Sequence, residues 1–504
     1  MKAKTSDHEL SIPKEISTVA ETLKKGGFEA YLVGGCVRDL LLNLKPKDWD
    51  VATSAKPEEI IKLFTKTFYE NNFGTVGVVN ETATDETLKV VEVTPFRLEG
   101  EYSDFRRPDK IEWGKSLSDD LKRRDFTINA LALEIEKFGA EEDSYKGKLT
   151  DLYDGQKDLT GKIIRAVGDP HERFGEDALR MLRTVRISAE LGFKIENETK
   201  KAIQSHASLL EKIAKERIQT EFSRIIMSKE PMKGLLLAQE LGLLKFVAPE
   251  FEVMFGVEQN KSHIYDVWEH SLRALQHAAD KNYSLEIRLT ALLHDIGKPE
   301  SRRFSKESND YTFYGHEVIG ARIAVKFLNN LKFPKKLIDQ VRALVRWHMF
   351  FSDTEQITLS AVRRMIRNVG QENIWHLMDV RICDRIGMGR PKEDPYRLRK
   401  YHAMIDEALR APISVGMLKI SGAKVMELTG EAPGPKIGFI LHALLSEALE
   451  NPDLNSSNHL EKRAKELALL NIKELEKLGE AGKLKKEDEE EKEIKKLRGK
   501  HKVR

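Results

Sequence analysis

The sequence has few cysteines, no long apolar run and almost no excess of charge of either sign. Among its 504 residues there are two cysteines, Cys36 and Cys383, which lie far apart. So few cysteines exclude a disulfide framework and an array of zinc fingers, and they suit a reducing compartment. The N-terminal segment has no apolar stretch of the signal-peptide kind, and no later run could cross a membrane. We therefore expect a cytoplasmic protein without a membrane partner.

The charges nearly balance. Lys and Arg number 84 and Asp and Glu 81, which gives a formal net charge of +3. A binding surface for a polyanion would therefore have to come from local clusters of basic residues. The length implies about two to four domains, because a single core stops growing near about 250–300 residues.

Two patterns divide the chain. Residues from about 15 to 165 mix strand and helix signals, whereas almost everything from about residue 168 has helical periodicity. The predicted class is α+β, with a small α/β head on a mixed or mostly antiparallel sheet, followed by all-α units. Strands are predicted at Ala30–Val33, Trp49–Ala52, Val76–Val79 and Leu88–Val93, and helices at Lys14–Lys25 and Lys56–Phe64. The predicted domains are 15–165, 166–255, 256–400 and 401–475, followed by a charged segment, 476–504, that is a frayed helix or a disordered tail.

The segment YLVGGCVRDLLLNLKPKDWDVAT, residues 31–53, carries the strongest chemical pattern. Side chains alternate faces along a strand, so Asp48 and Asp50 should point to one side and Trp49 to the packed side. Two carboxylates on one face suit Mg²⁺, which prefers oxygen ligands and leaves room for phosphate oxygens.

A glycine pair and an arginine precede these carboxylates. Gly34 and Gly35 follow the first strand and would let backbone N–H groups approach an anion. Arg38 lies near the start of the short helix that follows. Each feature alone is common in turns and on solvated edges. Their order within about twenty residues predicts a site for nucleotidyl transfer.

Two later segments add charged groups. LKRRDFTINALA contains Arg123, Arg124 and Asp125 before an apolar run that we interpret as helical, and a triphosphate would be a natural partner for the two arginines. The alternative is a solvated charge cluster that opens a helix.

In GEDALR, a helix would place Glu176, Asp177 and Arg180 on one face, where they could contact a base edge or form an intrahelical salt bridge. Arg183 and Arg186 would extend this face as a basic stripe.

These motifs together resemble one family. GGCVRDLLL with DWDVAT, then RRDFTINALA, DLYDG and EDALRMLRTVRISAELGF, occur in the order found in bacterial class II CCA-adding tRNA nucleotidyltransferases, relatives of the bacterial poly(A) polymerases. The resemblance covers about residues 20–230. It implies a polymerase-beta-like head followed by a helical neck, body and tail.

The resemblance also implies roles for individual residues. Asp48 and Asp50 would carry catalytic Mg²⁺, and the Arg123–Asp125 segment would contact ribose and triphosphate. Glu176, Asp177 and Arg180 would form a protein template that reads CTP and then ATP. Glu92, on a predicted strand, is a candidate third carboxylate; the alternative is an exposed strand residue. Residues 96–120 resemble the family's flexible loop, which CC-adding enzymes tend to lack.

A second constellation lies in the helical part. Histidines and carboxylates that converge from several helices make a transition-metal site. The segment HDIGKP resembles the signature motif of the HD-domain phosphohydrolases. The resemblance implies a divalent metal ion, which could be Mg, Mn, Ni or Co. It also implies a phosphate-ester substrate, such as an RNA end with a 2′,3′-cyclic phosphate or a 2′-phosphate. The alternative is an inherited fold without catalysis. The implied core ligands are His270, His294, Asp295 and Asp384, with His316 and His348 for a second metal or the substrate phosphate.

The sequence thus predicts a Mg²⁺-dependent CCA tRNA nucleotidyltransferase with a C-terminal HD domain, whose partners are the tRNA 3′ end, CTP and ATP. Three alternatives stay open. The chain could be a poly(A) or A-adding polymerase. It could be chiefly an HD phosphohydrolase whose head only binds RNA, or a non-catalytic RNA-binding module.

Overall fold

The computed structural model describes residues 4–69, 74–97, 114, 116–137, 144–260, 264–350, 357–409 and 414–503. The chain divides into two compact units. One comprises Met1–His348 and Met378–Arg390, and the other Met349–Leu377 and Pro391–Arg504. Across the described ranges, no helix is both long enough and apolar enough to traverse a bilayer.

The N-terminal part of the first unit is built on one eight-stranded sheet. Its order is β1-β8-β7-β2-β3-β6-β5-β4, and every neighbouring pair is antiparallel except β3 and β6, which are parallel. The elements are β1 (Lys4–Ser11), α1 (Lys14–Lys25), β2 (Ala30–Val33), α2 (Gly35–Leu41), β3 (Asp50–Thr53), α3 (Pro57–Leu63), β4 (Thr67–Tyr69), β5 (Val76–Val79), β6 (Val90–Pro95), α4 (Leu117–Lys122), β7 (Leu131–Lys137) and β8 (Ser144–Asp151), with short 3₁₀ helices at Glu86–Leu88 and Thr127–Asn129. The mixed sheet and its helices confirm the predicted fold class.

Two sequence predictions for the head need correction. The apolar run after Asp125 is not one helix: it forms a short 3₁₀ helix, Thr127–Asn129, and then strand β7, in which Leu131, Leu133 and Ile135 alternate into the core. Strand β1 pairs with β8 along its whole length, so the head begins before the predicted boundary at residue 15. The loop predicted at 96–120 lies mostly outside the described residues, and its last part forms the start of α4.

The two faces of the sheet differ. The main head core contains Leu32 and Val51, whereas Val33 and Ala52 belong to a smaller cluster on the other face. Because side chains alternate along a strand, Asp50 shares the face of Ala52. The candidate carboxylate therefore lies opposite the main core.

The rest of the first unit is helical. One core runs through it and joins the predicted domains 166–255 and 256–400; Phe327 contacts Phe222 and Phe251 with ring centroids 5.6 and 5.1 Å apart. The elements are α5 (Gly155–Gly161), β9 (Ile163–Ile164), α6 (Pro170–Glu176), α7 (Leu179–Leu191), β10 (Lys194–Ile195), α8 (Asn197–His206), α9 (Lys215–Met227), α10 (Pro231–Glu240), α11 (Leu244–Val247), α12 (Val267–Asp280), α13 (Leu285–Leu293), α14 (Lys298–Ser301), β11 (Arg303–Ser305), β12 (Asp310–Thr312), α15 (His316–Asn330) and α16 (Lys335–Trp347), with 3₁₀ helices at Ala207–Lys212 and Pro249–Met254.

The second unit is also helical. Its elements are α17 (Leu359–Val369), the start of α18 (Ile374–Gly387), α19 (Tyr396–Leu409), α20 (Gly422–Thr429), α21 (Pro435–Glu450), α22 (Ser457–Ala468) and α23 (Ile472–Lys500), with 3₁₀ helices at Gln371–Asn373, Val415–Met417 and Pro452–Leu454. The remainder of α18 belongs to the first unit.

Of the two alternatives for the charged segment 476–504, the structure shows the helical one, because α23 extends to Lys500. Its buried positions include Gly479 and Gly482, and a Cβ at these glycines would lie 2.8 Å from the Cα of Phe439 and 2.2 Å from the carbonyl oxygen of His442. The two glycines therefore let α23 lie directly against α21, while the charged residues occupy its exposed side.

Candidate active sites

The two predicted catalytic aspartates flank a buried tryptophan at the start of β3. The strand begins at Asp50, so Asp48 and Trp49 precede it. Their exposure nevertheless alternates as predicted, with Asp48 exposed, Trp49 buried and Asp50 partly buried. Burial raises the pKa of Asp50 to about 6, and the charge of Asp48 adds to this effect while Arg124 opposes it. The two carboxylates are thus close enough for their charges to interact.

Glu92 lies beside Asp50 in the sheet. In the parallel pair of β3 and β6, Asp50 is in register with Glu92, and the Glu92 N–H donates to the Trp49 carbonyl at 3.0 Å. Paired residues of adjacent strands project from the same face. The head therefore brings Asp50 and Glu92 to one face, which we call the carboxylate face, with Asp48 close enough for its charge to act on Asp50. These hard oxygen donors fit Mg²⁺.

Gly34 brings backbone against this carboxylate face. Its φ is +78°, in the region that favours glycine, and a Cβ there would lie 3.0 Å from Arg124 Nη1 and 3.2 Å from Asp50 Oδ2. Gly35 opens α2, and its nearest side chain is that of Arg38. Gly34 thus packs against Arg124 and Asp50 where a side chain would not fit, and its approach to an anion stays a prediction.

The two arginines of the RRD motif share one protein carboxylate. Arg123 donates from Nε and Nη2 to Asp120 Oδ1 at 2.9 and 2.5 Å, and Arg124 donates from the same atoms to Oδ2 at 3.1 and 2.8 Å. Asp120 is fully buried. Sequence reasoning missed this partner, although its spacing of three and four residues before the arginines is that of a helical ion pair.

Asp125 connects the RRD motif to α2 and α7. Its Oδ1 accepts from Asn129 Nδ2 at 3.0 Å, and its Oδ2 lies 2.9 Å from Arg183 Nη2. Asn129 Oδ1 in turn accepts from Arg38 Nη1 at 3.0 Å. Burial would raise the pKa of Asp125, but the charge of Arg183 and the bond from Asn129 lower it. These bonds hold Arg38 and Arg183 beside residues 123–125, which we call the RRD turn.

The predicted single helix through Glu176 and Arg180 is interrupted. Helix α6 ends at Glu176, Asp177 has extended backbone angles, and α7 begins at Leu179. Arg180 still donates to Glu176 Oε2 at 2.7 Å, as expected, but it also donates to the Arg123 carbonyl at 2.9 Å. The break turns Asp177 away from the face that it would share with Arg180 in a continuous helix.

Asp177 pairs with a residue that sequence reasoning did not single out. Arg217, in α9, donates from Nη2 to Asp177 Oδ2 at 2.8 Å and from Nη1 to Oδ1 at 3.3 Å. Forty positions separate the two residues, so no local pattern could reveal the pair.

Arg186 is placed differently from the predicted basic stripe. It is 5% exposed and is held by Glu221 and Glu190, with donor distances of 2.7 and 2.9 Å. These contacts join α7 to α9, so the geometry gives Arg186 a structural position and leaves Arg183, which is more exposed, to face the site.

The second candidate site lies where α12, α13, α15, α16 and α18 meet. The Nε2 atoms of His270 and His294 are 2.9 Å apart, and Asp384 Oδ1 lies 3.4 and 3.8 Å from them. Asp295 Oδ2 lies 3.1 and 3.3 Å from the same two nitrogens. All four side chains are buried.

Asp295 also faces a second pair of histidines. The Nε2 atoms of His316 and His348 are 3.2 Å apart, and Asp295 Oδ1 lies 3.4 and 3.7 Å from them. The two oxygens of one carboxylate therefore point to two groups of ligands. The groups His270, His294, Asp384 and Asp295, His316, His348 each have their ligand atoms within 4.8 Å of one another.

Backbone carbonyls orient three of these imidazoles. The Nδ1 atoms of His294, His316 and His348 lie 2.8, 2.7 and 2.7 Å from carbonyl oxygens three residues earlier. A proton on Nδ1 leaves the Nε2 lone pair directed into the cluster, which is the arrangement of metal-ligating histidines. This donor set fits transition-metal ions.

Charged side chains border the cluster. Lys298 Nζ lies 2.6 Å from Asp295 Oδ2, and Arg381 pairs with the outer oxygen of Asp384. Burial opposes ionisation of Asp384, but Arg381 and His270 hold its pKa well below the usual range. Burial likewise opposes ionisation of Asp295, but the charges of His294 and Lys298 hold its pKa well below the usual range. Both carboxylates of the cluster are therefore available as charged ligands.

Comparisons with known proteins agree with this architecture. Residues 30–165 match the family model described as "Poly A polymerase head domain", 192–255 that described as "Probable RNA and SrmB- binding site of polymerase A", and 267–389 that described as "HD domain". The HD match spans all six predicted ligands of the second site.

Individual relatives point to one family. The CCA-adding enzyme of Ligilactobacillus salivarius is 34% identical over 462 residues, which cover 90% of this chain and 96% of the relative. That of Limosilactobacillus fermentum is 49% identical over 218 residues, or 43% of this chain and 50% of the relative. The crystal structure of the Bacillus stearothermophilus CCA-adding enzyme in complex with CTP has a TM-score of 0.56 and 28% identity, and the match covers 90% of this chain and 98% of that one. The chain therefore belongs to the family of CCA-adding enzymes, which are nucleotidyltransferases.

Proposed function

We propose that the head adds CMP, CMP and AMP in turn to the 3′ end of tRNA, with CTP and ATP as substrates and without a nucleic-acid template. The observation that carries this proposal is the carboxylate face of Asp50 and Glu92, with Asp48 close to Asp50 and Arg124 held beside it. A paired-carboxylate site next to fixed guanidiniums suits the transfer of a nucleotidyl group from a triphosphate.

Each group of residues in this site would have its own role in nucleotidyl transfer. The 3′-hydroxyl of tRNA attacks the α-phosphate, and the bond to pyrophosphate breaks. Asp48, Asp50 and Glu92 would hold Mg²⁺, which, when bound, favours ionisation of the attacking hydroxyl and stabilises the leaving pyrophosphate. Arg123 and Arg124 would bind the triphosphate oxygens, and the backbone of Gly34 would lie against the same anion.

Base recognition would come from the junction between α6 and α7. Asp177 has carboxylate acceptors and Arg180 has guanidinium donors, which are the groups needed to pair with a base edge. Arg217 binds Asp177, and Glu176 binds Arg180, so each reader has a second protein group that fixes its orientation. Such fixed readers would select bases without a template strand.

The test uses three tRNA transcripts that end before CCA, at C and at CC. Each is incubated with labelled CTP, ATP or both, and the products are separated at single-nucleotide resolution. We expect the first transcript to gain three nucleotides, the second two and the third one, after which addition stops. Continued addition of A would instead establish a poly(A) polymerase, and addition to the CC end alone would establish an A-adding enzyme.

We also propose that the histidine cluster is a metal-dependent phosphohydrolase site. The supporting observation is that the two oxygens of Asp295 face two separate pairs of Nε2 atoms. His270, His294 and Asp384 would hold one divalent ion and His316 and His348 a second, and these ions would supply an activated water for attack on a phosphate ester. Lys298 forms an ion pair with Asp295 at the edge of this cluster, where its ammonium group would bind a substrate phosphate.

Metal content tests this assignment independently of activity. The protein is dialysed against a chelator, reconstituted with Mn²⁺, Ni²⁺, Co²⁺ or Mg²⁺, and measured by elemental analysis. We expect up to two ions per chain from this cluster, and the loss of one in a His348→Ala variant. RNA ending in a 2′,3′-cyclic phosphate or a 2′-phosphate is the substrate to assay. Full metal content without hydrolysis of either end would limit the cluster to a structural role.

A cytoplasmic location is part of the proposal. Cys36 and Cys383 are buried and form no disulfide with each other, which suits a reducing compartment.

A further inference from the structure

Asp120 is a buried charge to which the proposed catalytic groups give no role of its own. It is 0% exposed, and it lies on α4, just before the RRD turn. An ionised carboxylate that deep in a protein is costly unless strong donors satisfy it. Here Oδ1 accepts two N–H bonds from the guanidinium of Arg123, and Oδ2 accepts two from that of Arg124. The two arginines therefore compensate the cost of burying the charge of Asp120.

The first consequence concerns the direction of Arg124. Its Nε and Nη2 edge is occupied by Asp120. The remaining nitrogen, Nη1, lies against Gly34, at 3.0 Å from the position of a Cβ there, with Asp50 Oδ2 at 3.2 Å from the same point. A planar guanidinium that is fixed along one edge has its other edge fixed as well. Asp120 thus directs Arg124 at the face that carries Asp50.

The second consequence concerns Arg180. The carbonyl of Arg123 accepts a hydrogen bond from Arg180 Nη2 at 2.9 Å, while Arg180 Nη1 is bound to Glu176 at 2.7 Å. The side chain of Arg123 is anchored on Asp120. The same buried carboxylate therefore holds the turn on which the proposed base reader rests.

We propose that Asp120 is a positioning residue that couples triphosphate binding to base reading, by holding Arg124 toward the carboxylate face and Arg123 under Arg180. This inference rests on the proposed nucleotidyltransferase function. Asp120 itself needs no contact with the substrate, because both of its oxygens are already occupied by the two arginines. Its influence passes through one side chain, Arg124, and one backbone carbonyl, that of Arg123.

Two variants of the full chain separate charge from position. Asp120→Asn keeps the size and removes the charge, whereas Asp120→Glu keeps the charge and moves it by one methylene within a buried space. The matched control is Asp119→Asn, because Asp119 is the neighbouring residue and only caps α4 through Ser116. The measured quantities are the KM values for CTP, ATP and tRNA, the ratio of CTP to UTP incorporation, and inhibition by inorganic tripolyphosphate.

We expect both Asp120 variants to raise the KM values for CTP and ATP at least about tenfold, since bonds to charged groups contribute that much or more. The inhibition constant of tripolyphosphate should rise by a similar factor, the KM for tRNA should stay within about twofold, and the preference for CTP over UTP should fall. Asp119→Asn should behave like the wild type.

Three results would overturn the proposal, its coupling to Arg180 or the proposed function. A folded Asp120→Asn or Asp120→Glu protein, judged by its thermal melting, with wild-type nucleotide KM and tripolyphosphate inhibition overturns the proposal. A raised nucleotide KM with unchanged preference for CTP over UTP overturns the coupling to Arg180. If the wild-type chain adds no nucleotide to tRNA, the proposed function fails instead, and that assay comes first.

Discussion

Gly34→Ala should separate backbone strain from damage to the candidate transfer site. The φ of Gly34 is +78°, where an alanine is strained by about 1–3 kcal/mol. The added Cβ would also lie 3.0 Å from Arg124 Nη1 and 3.2 Å from Asp50 Oδ2, both tighter than ordinary contact. Each group would have to move by a few tenths of an ångström. We expect kcat/KM for nucleotide addition to fall about tenfold to a hundredfold, because small displacements of reacting groups are that costly.

Gly27→Ala is the matched control. Gly27 has a φ of +86°, and no atom lies within 4 Å of the position of its Cβ. The variant should therefore lose a comparable amount of stability in urea denaturation but keep its activity. Addition of CMP to a tRNA that ends before CCA is measured for both variants at several nucleotide concentrations. Equal activity of the two variants would refute the placement of Gly34 against Asp50 and Arg124.

Three further predictions follow from the contacts around the site. Arg217→Ala leaves the carboxylate of Asp177 without its ion-pair partner, so the ratio of CTP to UTP incorporation should fall while the tRNA KM is kept; an unchanged ratio would contradict a role in orienting Asp177. Arg186→Met leaves Glu221 buried and unpaired and should lower the free energy of unfolding by about 3–5 kcal/mol, with the nucleotide KM of the folded protein unchanged; a large KM effect without loss of stability would instead support a nucleotide contact. Burial alone would raise the pKa of Asp120, but Arg124 and Arg123 lower it to about 2, so its contribution to stability is complete above about pH 4 and is lost as the pH falls toward 2. Asp120→Asn should remove up to about 2 kcal/mol of that acid dependence in urea titrations at several pH values, and an unchanged dependence would exclude the ion pairs.

Much of the head could be predicted from local patterns. Strands β2 and β5 and helix α1 have the predicted bounds: the strands are short apolar runs flanked by glycines and polar residues, and α1 has Ile16, Val19, Ala20 and Leu23 at helical spacing. The run up to Ala132 also fits helical spacing at Ile128 and Leu131, so local pattern predicts a helix where the structure has a 3₁₀ helix followed by β7. The alternation of Leu131 and Leu133 decides the matter only once β2 and β8 are present as partners.

The site was predictable in its residue types and less so in its pairings. The alternation around Trp49 and the ligand types of the histidine cluster follow from sequence. Local spacing does not decide whether Arg123 and Arg124 share a bound phosphate or a carboxylate of the protein. In the structure both arginines form ion pairs with the carboxylate of Asp120. The ion pair between Asp177 and Arg217 depends on how α7 packs on α9, which only the folded chain reveals.

The central claim is that two separate sites carry out two reactions, with Asp50 essential to the first and Asp295 to the second. The direct measurement compares Asp50→Asn and Asp295→Asn, both folded, in labelled-ATP addition to a tRNA that ends at CC and in phosphate-ester hydrolysis with a reconstituted divalent metal. We predict that Asp50→Asn loses addition by at least about a thousandfold and keeps hydrolysis, while Asp295→Asn does the reverse. Addition by Asp50→Asn within tenfold of the wild type would contradict the account.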